Sequence, residues 1–458
     1  MRSFKLKLAT AILATSPVIG FAGDESVSLS TYRISVADLY KAAMASDPNM
    51  IAAQANLWRS EAISDAAFGR LLPQISFQSS YSRTHYENDI NSTSYNGKKA
   101  GLTLTQAIYD PISSAAADRA EQDIKKADSD QLAAQYTSAV NLVERYFAVL
   151  AAQDRVALLS EQRGIIAKNL EQVESLLARK LARVTDKLSL TAQKHLVDAQ
   201  LLAAQNELLL AQESLSEIVG ELPTNVPLAS MRESDDLLKL TNVSNLDELI
   251  DSALQKNPSV VSSRWAVESA RSALEEAQAG HKPKVTLQAS ADYSNIGYAN
   301  SPSSNTQSAS IGFALQVPIY AGGSTTSRAE AALESLTIAE QELELTQRSI
   351  RRNLKLSFLG LENALARIRA SESASDSASQ ALEAAEKSFE YGITNVVEVA
   401  NRSGELYQAK VELNQARYEL VTNYINLITL QGDFTEEAIH SIDQLLDNST
   451  TSDVRSSG

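Results

Sequence analysis

The sequence predicts a mainly α-helical chain whose long helices build a coiled-coil barrel and which also contributes four strands to a membrane β-barrel. Three observations carry this reading. Turn, strand and helix signals recur at an offset of about 210 residues. Two helical stretches run for roughly 67 residues, or about 100 Å. Two short hairpins alternate apolar and polar residues with period two.

The first element is an export signal. Arg2, Lys5 and Lys7 precede the apolar run Leu8 to Phe21, and Gly20 and Ala22 supply small residues before a cleavage point. Residues 1–22 are therefore read as a signal peptide, since about fourteen apolar-leaning residues are too few to cross a bilayer. Its removal takes three cations and shifts the net charge from −15 to about −18. An acidic chain lacks the basic footprint that phosphates require, which excludes nucleic acid as a partner. With no cysteine there are no disulfides, thiolate metal sites or cysteine-linked lipid anchors.

The remainder divides into a first structural repeat, 23–245, and a second, 246–435. Leu39-Tyr40-Lys41-Ala42-Ala43 with Asp47-Pro48 matches Leu249-Ile250-Asp251-Ser252-Ala253 with Asn257-Pro258. Each Asp/Asn-Pro pair is an N-cap followed by proline at the first helical position, so helices start there and run to about Leu71 and through 258–280. Pro73 and Pro283 forbid continuation. Strand pairs follow at 74–109 and 284–320, with Val285, Leu287, Ala289, Ala291 and Tyr293 on one face and Thr286, Gln288, Ser290, Asp292 and Ser294 on the other. Polar loops are expected around Asn88 to Ser94 and Asn300 to Thr306. A soluble half-buried hairpin would alternate in the same way. The export signal, the flanking tyrosines and the lack of other sheet-forming segments favour lipid-facing strands.

Long helices are predicted over 113–181 and 324–389, released by Asp110-Pro111 and by Ala321-Gly322-Gly323. That glycine pair lacks the lysine and spacing of a phosphate loop and reads as a corner. Return helices are predicted over 185–219 and 395–431. A shorter helix such as 258–280 stacked end to end on 185–219 spans about 87 Å, nearly the length of a long neighbour. Residues 220–245, with Pro223 and Pro227, read as an irregular linker belt, and 436–458 as a polar C-terminal tail.

Four strands cannot close a barrel, and free strand edges are costly in lipid. Two copies would make eight strands with a filled interior; three make twelve with an open passage, so a conducting assembly is expected to be a homotrimer in outer-membrane lipid.

Several runs then resemble one family. Gly280-His281-Lys282-Pro283-Lys284-Val285-Thr286-Leu287, Val317-Pro318-Ile319-Tyr320-Ala321-Gly322-Gly323, Tyr391-Gly392-Ile393-Thr394-Asn395-Val396-Val397-Glu398-Val399 and Leu406-Tyr407-Gln408-Ala409-Lys410-Val411-Glu412-Leu413 resemble TolC-type outer-membrane factors, and the similarity extends from about Leu39 to Gly432. The resemblance implies a trimeric exit duct for drug efflux or type I protein secretion, joined in the periplasm to an adaptor (membrane fusion) protein and an inner-membrane pump or ABC exporter. It implies adaptor docking at the hairpin tips, Lys180, Leu181, Gly392 and Ile393, and a periplasmic constriction at Thr185, Asp186, Phe389, Thr394, Glu398 and Asn401. The sequence departs from the family at Lys180, where glycine is usual, at Glu398 and Asn401, where the best-known relatives carry two aspartates, and at Thr394, where they carry arginine. Asn395 to Glu398 also fits a capping box, and Thr185-Asp186 a helix start.

No enzyme is expected, because His85, His195, His281 and His440 are scattered without a second ligand at metal spacing and no serine sits in a nucleophile elbow. No cofactor or metal is implied. The alternative reading is a periplasmic coiled-coil adaptor or scaffold without a pore, which would carry one helical hairpin flanked by β domains; this chain has two, separated by strand pairs.

Overall fold

The computed structural model describes residues 33–90, 92–220, 228–231, 245–298 and 301–447, with the backbone alone at 296–298 and 301–304. The expected signal peptide, most of the expected belt and the end of the expected tail lie outside the described residues. In chain order the elements are α1 (Val36–Ser46), α2 (Pro48–Gly69), β1 (Gln74–Glu87), β2 (Ser92–Tyr109), α3 (Pro111–Ala178), α4 (Val184–Val219) and β3 (Ser230–Met231). They continue with α5 (Leu246–Lys256), α6 (Pro258–Ala279), β4 (Lys284–Tyr298), β5 (Ser301–Gln316), α7 (Ser324–Glu390), α8 (Val396–Gln431), α9 (Glu436–Asp443) and β6 (Leu446–Asp447). From α1 to α4 and from α5 to α8 the helices and long strands follow the same order.

Three helices begin at a carboxylate or amide followed by proline. Asp47 Oδ1 accepts from Asn49 N at 2.8 Å, Asn257 Oδ1 from Ser259 N at 3.0 Å and Asp110 Oδ1 from Ser113 N at 3.2 Å. Each satisfies an N–H that the helix leaves free, while the proline has none to leave. Asp110-Pro111 is thus a helix start, so α3 opens two residues before the predicted 113. α7 instead starts from Gly322 and Gly323, both at positive φ (62° and 82°).

The four long strands form one antiparallel sheet in the order β1-β2-β4-β5, so the two halves of the chain meet at the β2–β4 pair. Ile75 pairs with Leu104 and Phe77 with Leu102; Leu287 pairs with Phe313 and Ala289 with Ile311. These residues share one face, and its large side chains are bare: Ile311 is 76% exposed and Phe313 74%. The expected polar loops are mostly strand. β1 runs to Glu87 and β2 starts at Ser92, and pairing between β4 and β5 continues to Tyr298 and Ser301. Serine, threonine and asparagine carry the ladder beyond the apolar rows, where an alternation of apolar residues can no longer be read. At the other end β5 stops at Gln316, ahead of Pro318, which has no N–H for a ladder.

Shorter helices are laid end to end beside the long ones, but in different pairs from the one expected. α3 runs along α2 and α6 in its first half, through Gln54 to Gln131, Asp123 to Ser269 and Arg119 to Glu276. In its second half it runs along α4, through Arg145 to Glu217, Arg155 to Glu207, Arg163 to Asp198 and Glu174 to Lys187. The end of α4 therefore abuts the start of α2: Ser46 Oγ donates to Ile218 O at 3.2 Å. The end of α8 abuts the start of α6, where Asn257 Nδ2 donates to Leu430 O at 2.9 Å and Lys256 pairs with Asp433 at 2.8 Å. The 185–219 helix does not stack on 258–280; chain continuity brings it back to α1 and α2.

The largest buried cluster lies at these joints. α1 contributes Val36, Leu39 and Tyr40; mid-α3 contributes Leu142, Val143, Tyr146 and Phe147; α8 contributes Leu420, Val421 and Ile425. The Tyr146 hydroxyl donates to Ile34 O at 3.1 Å and Ala229 O at 2.9 Å, holding part of the belt to the helices. The predicted polar tail is corrected here. α9 buries Ala438, Ile439 and Ile442 in this cluster, and β6 pairs with β3. An eight-residue helix flanked by polar residues is too short for its apolar face to be read from periodicity alone.

Gly432 ends α8 at φ 84°, and a Cβ there would lie 2.7 Å from Lys256 C. Gly432→Ala is expected to cost at least about 1–2 kcal/mol from backbone strain alone. Gly404→Ala, inside α8 with only an ordinary contact 3.6 Å away at Gln162, is expected to stabilise by about 0.5–1 kcal/mol. Thermal unfolding of the detergent-solubilised protein should order the two variants on opposite sides of wild type.

Candidate functional site

Far from the sheet, the α3–α4 and α7–α8 connections form two tips with one backbone geometry. At the first, Lys180 N donates to Leu177 O at 2.9 Å and Leu181 N to Leu176 O at 2.8 Å; at the second, Gly392 N donates to Phe389 O at 2.9 Å and Ile393 N to Ser388 O at 2.8 Å. The bond from residue 181 or 393 back to the last turn closes a left-handed helix cap. That cap requires positive φ at Lys180 (62°) and Gly392 (70°). Lys180 is the single non-glycine residue at positive φ among the described residues, which accounts for glycine being usual at this position in the family it resembles. α3 consequently ends at Ala178, three residues before the predicted 181. Both following apolar residues point into solvent, Leu181 at 72% and Ile393 at 79% exposure. Arg179, Lys180 and Arg183 make the first tip cationic; the second carries Glu390 and Tyr391.

Behind the tips the two hairpins touch through few groups. Phe389 is half-buried and packs both on the cluster of Leu159, Ile166, Leu190 and Val396 and on that of Leu382, Ala385 and Val399. With Val396 and Ala400 of α8, which are buried in the first of these clusters, it joins the hairpins through apolar contact. Thr185 is exposed, and Asp186 lies half-buried in the first turn of α4, where its charge suits the helix N-terminus. Neither caps the helix through its side chain; Arg183 is the N-cap. Among the described residues no hydrogen bond or ion pair joins Thr185 or Asp186 to Thr394, Glu398 or Asn401. Asn401 is exposed and accepts from Gln193 Nε2 at 3.4 Å, a weak link between α4 and α8. Among the described residues, buried Gln162 Oε1, Asn169 Nδ2 and Gln193 Oε1 have no hydrogen-bond partner, and each such group costs stability.

Glu398 behaves differently from its expected capping role. Asn395 Oδ1 does accept from Glu398 N at 3.0 Å, but the Glu398 carboxylate turns along the helix to Arg402 at 2.7 Å. Arg402 also holds Glu405 at 2.8 Å. The capping box is therefore half-made, and a cation sits one turn from the expected carboxylate. Arg402 was legible as an i+4 partner of Glu398; a reading by matched family positions passes over it.

Higher in the wall the hairpins are tied by a buried carboxylate. Asp154 of α3 receives the Tyr418 hydroxyl and Asn414 Nδ2 (2.9 Å), both from α8. Burial pushes its carboxyl above the usual range, and the two hydrogen bonds offset this only in part.

With this geometry in hand, comparison with known proteins is informative. The chain matches the family described as outer membrane efflux protein over residues 39–221 and 249–433. It is 27% identical over 441 residues to the outer membrane protein TolC of Vibrio cholerae, covering 93% of this chain and 97% of that one. It is 26% identical over 418 residues to the alkaline protease secretion protein AprF of Pseudomonas aeruginosa, covering 88% and 86%. Among solved structures it resembles the outer membrane protein VceC of Vibrio cholerae with a TM-score of 0.75 at 18% identity, over 87% of this chain and 96% of that one. It also resembles the open-state MtrE outer membrane channel of Neisseria gonorrhoeae with a TM-score of 0.74 at 14% identity, over 91% and 95%.

Lys180→Gly is expected to stabilise the protein by about 1 kcal/mol, because glycine adopts this φ without a Cβ penalty. The measurement is a denaturant midpoint. Asp154 binds its proton more tightly in the folded chain, so its contribution to stability is full below the ordinary carboxylate range and is lost as pH rises through the raised value. Asp154→Asn should flatten that part of the stability–pH profile, whereas Tyr418→Phe should destabilise by about 1–3 kcal/mol at neutral pH.

Proposed function

This chain belongs to the outer membrane efflux protein family and resides in the outer membrane, and from that premise we propose that three copies form a continuous exit duct. The observation that carries the proposal is the open sheet. β1 and β5 each have one unpaired edge, and the face bearing Ile75, Phe77, Leu102, Ile311 and Phe313 is exposed and apolar. In hydrocarbon both edges must be paired, and pairing β1 of one copy with β5 of the next closes twelve strands around an open lumen. The long helices, α3 and α7, continue the wall into the periplasm as a helical tunnel. We take the two halves of the chain to be copies of one unit, which gives the tunnel its near-regular wall. A pore-free scaffold has no use for a lipid-facing sheet of this kind.

The duct holds no energy source of its own in this reading. A periplasmic adaptor meets the tips at Lys180, Leu181, Gly392 and Ile393, the apolar pair Leu181 and Ile393 supplying contact and the cations of the first tip selecting an acidic surface. An inner-membrane pump or ABC exporter delivers the cargo. The constriction lies at Thr185, Asp186, Phe389, Thr394, Glu398 and Asn401, and the weak fastening behind it lets α7 and α8 slide past α3 and α4 when a partner binds. Arg402 belongs to this constriction too, because it neutralises Glu398 locally.

Reconstitution in planar lipid tests the proposal. Wild type should give trimer-sized conducting units, and a monomer without conductance would overturn it. Because the native chain has no cysteine, Ser79→Cys on β1 combined with single cysteines scanned along β5 should give oxidised trimers at one register only. Arg402→Gln should raise cation preference by freeing a ring of Glu398, and Glu398→Gln should lower it; unchanged selectivity in both would remove these residues from the constriction.

A further inference from the structure

The end of the sheet far from the helices carries two cations that no described residue neutralises. Tyr81 pairs with Lys98, and Lys98 with Asn295 on β4; one step further from the helices Arg83 pairs with Asn96. Alternation places Arg83 and Lys98 on the same face as Ile75, Phe77 and Leu102, and both are exposed. On the opposite face at this level Thr84 and Tyr95 are half-buried and Gly97 buried, while Ser82 and Lys99 are exposed. As diagonal neighbours the two cations stand about 7–8 Å apart at their Cα atoms. Neither has a hydrogen-bond or ion-pair partner among the described residues. The nearest acid on this face of β1 is Glu87, which lies 3.8 Å from His85.

Their height matters. Apolar rows run from Val285 and Leu315 to Tyr293, and the row of Tyr81, Lys98, Asn295 and Asn305 follows directly. Ten residues of tilted strand from Leu315 to Asn305 rise about 25 Å, the height of the apolar band of a membrane barrel. Arg83 and Lys98 therefore lie just past the hydrocarbon, at the end away from the helices, and in the hydrocarbon itself each would cost about 2–4 kcal/mol. Lys99, the adjacent cation, points to the other face, where Asp292 also lies opposite Gly101.

We propose that Arg83 and Lys98 form a site for the phosphates of a phosphorylated lipid of the outer leaflet, bound at the barrel's outer surface with its acyl chains along the apolar rows below. Two adjacent cations on a membrane-facing wall match phosphate in charge and position, and Tyr81 beside them suits the same interface. In a trimer the site occurs three times, each with Arg83 on the edge strand β1 and Lys98 on its neighbour β2, so a bound lipid would lie beside the joint. The inference rests on the barrel reading above.

The test uses full-length protein in non-ionic detergent and fluorescent lipid A carrying two phosphates. Arg83→Gln with Lys98→Gln should weaken binding about 30-fold relative to wild type, while Lys99→Gln should leave it unchanged. Dephosphorylated lipid A should bind wild type as weakly as bisphosphorylated lipid A binds the double variant. Equal binding by wild type and double variant, an equal loss in Lys99→Gln, indifference to lipid phosphorylation, or full displacement by inorganic phosphate would each overturn the proposal. Planar-bilayer conductance of the same preparations separates the two levels. Conducting wild type without lipid discrimination sinks only the lipid site, and absence of conduction sinks the barrel reading beneath it.

Discussion

The structure is organised around backbone groups that lipid will not solvate. The four-stranded sheet satisfies its inner ladders, leaving one edge of β1 and one of β5 without partners among the described residues. In water such edges invite aggregation; in hydrocarbon each unmade hydrogen bond costs several kcal/mol, and the remedy is closure with another copy. The exposed row of Ile75, Phe77, Ile311 and Phe313 sets where that closure occurs, because these side chains are stable only against lipid tails. In the trimeric duct proposed above, assembly and an open lumen would both follow from this one constraint.

A second constraint governs the helices. A 68-residue helix such as α3 needs a partner along its whole length, and no single return helix is long enough. The chain resolves this with joints at which one helix ends against the beginning of another. The buried caps Asp47 and Asn257 serve both sides of those joints: Asp47 also accepts the Ser138 hydroxyl at 2.5 Å, and Asn257 also reaches Leu430 O. The belt of α1, α9, β3 and β6 packs around the same level, so the rigid part of the tube is its middle. Below it the hairpins are held by the smaller cluster of Leu159, Ile166, Leu190, Val396 and Ala400, by the Lys410–Glu161 pair and by the Gln193–Asn401 contact.

In the proposed duct, opening would depend on graded fastening. The joint cluster and the Asp154–Tyr418 tie resist sliding of the hairpins, while the Gln193–Asn401 contact and the Phe389 packing resist it less. A partner binding at Leu181 and Ile393 would act on the weak end of a long lever. Glu398 and Arg402 lie on that end as a pair, so in the proposed constriction the charge would depend on how firmly one holds the other.

What the sequence determined is whatever depends on local periodicity and caps. Asp47-Pro48 and Asn257-Pro258 marked helix starts, the alternation from Val285 to Tyr293 marked a strand with one apolar face, and the motifs of the second half marked the family. Apolar alternation could not reveal strand continuing through Ser92 to Ser94 or Ser301 to Thr306, because polar residues pair as well as apolar ones outside the hydrocarbon. The apolar face of α9 was too short to stand out from a polar stretch. Which short helix completes which long one was decided by tertiary structure, since α4 and α8 have similar lengths and only chain return selects α2 and α6 as their continuations. At the tips the residues were legible, but their roles were not. The left-handed turn forced on Lys180, the rotation of Glu398 toward Arg402 and the burial of Phe389 between hairpins depend on side chains and backbone meeting across elements far apart in sequence.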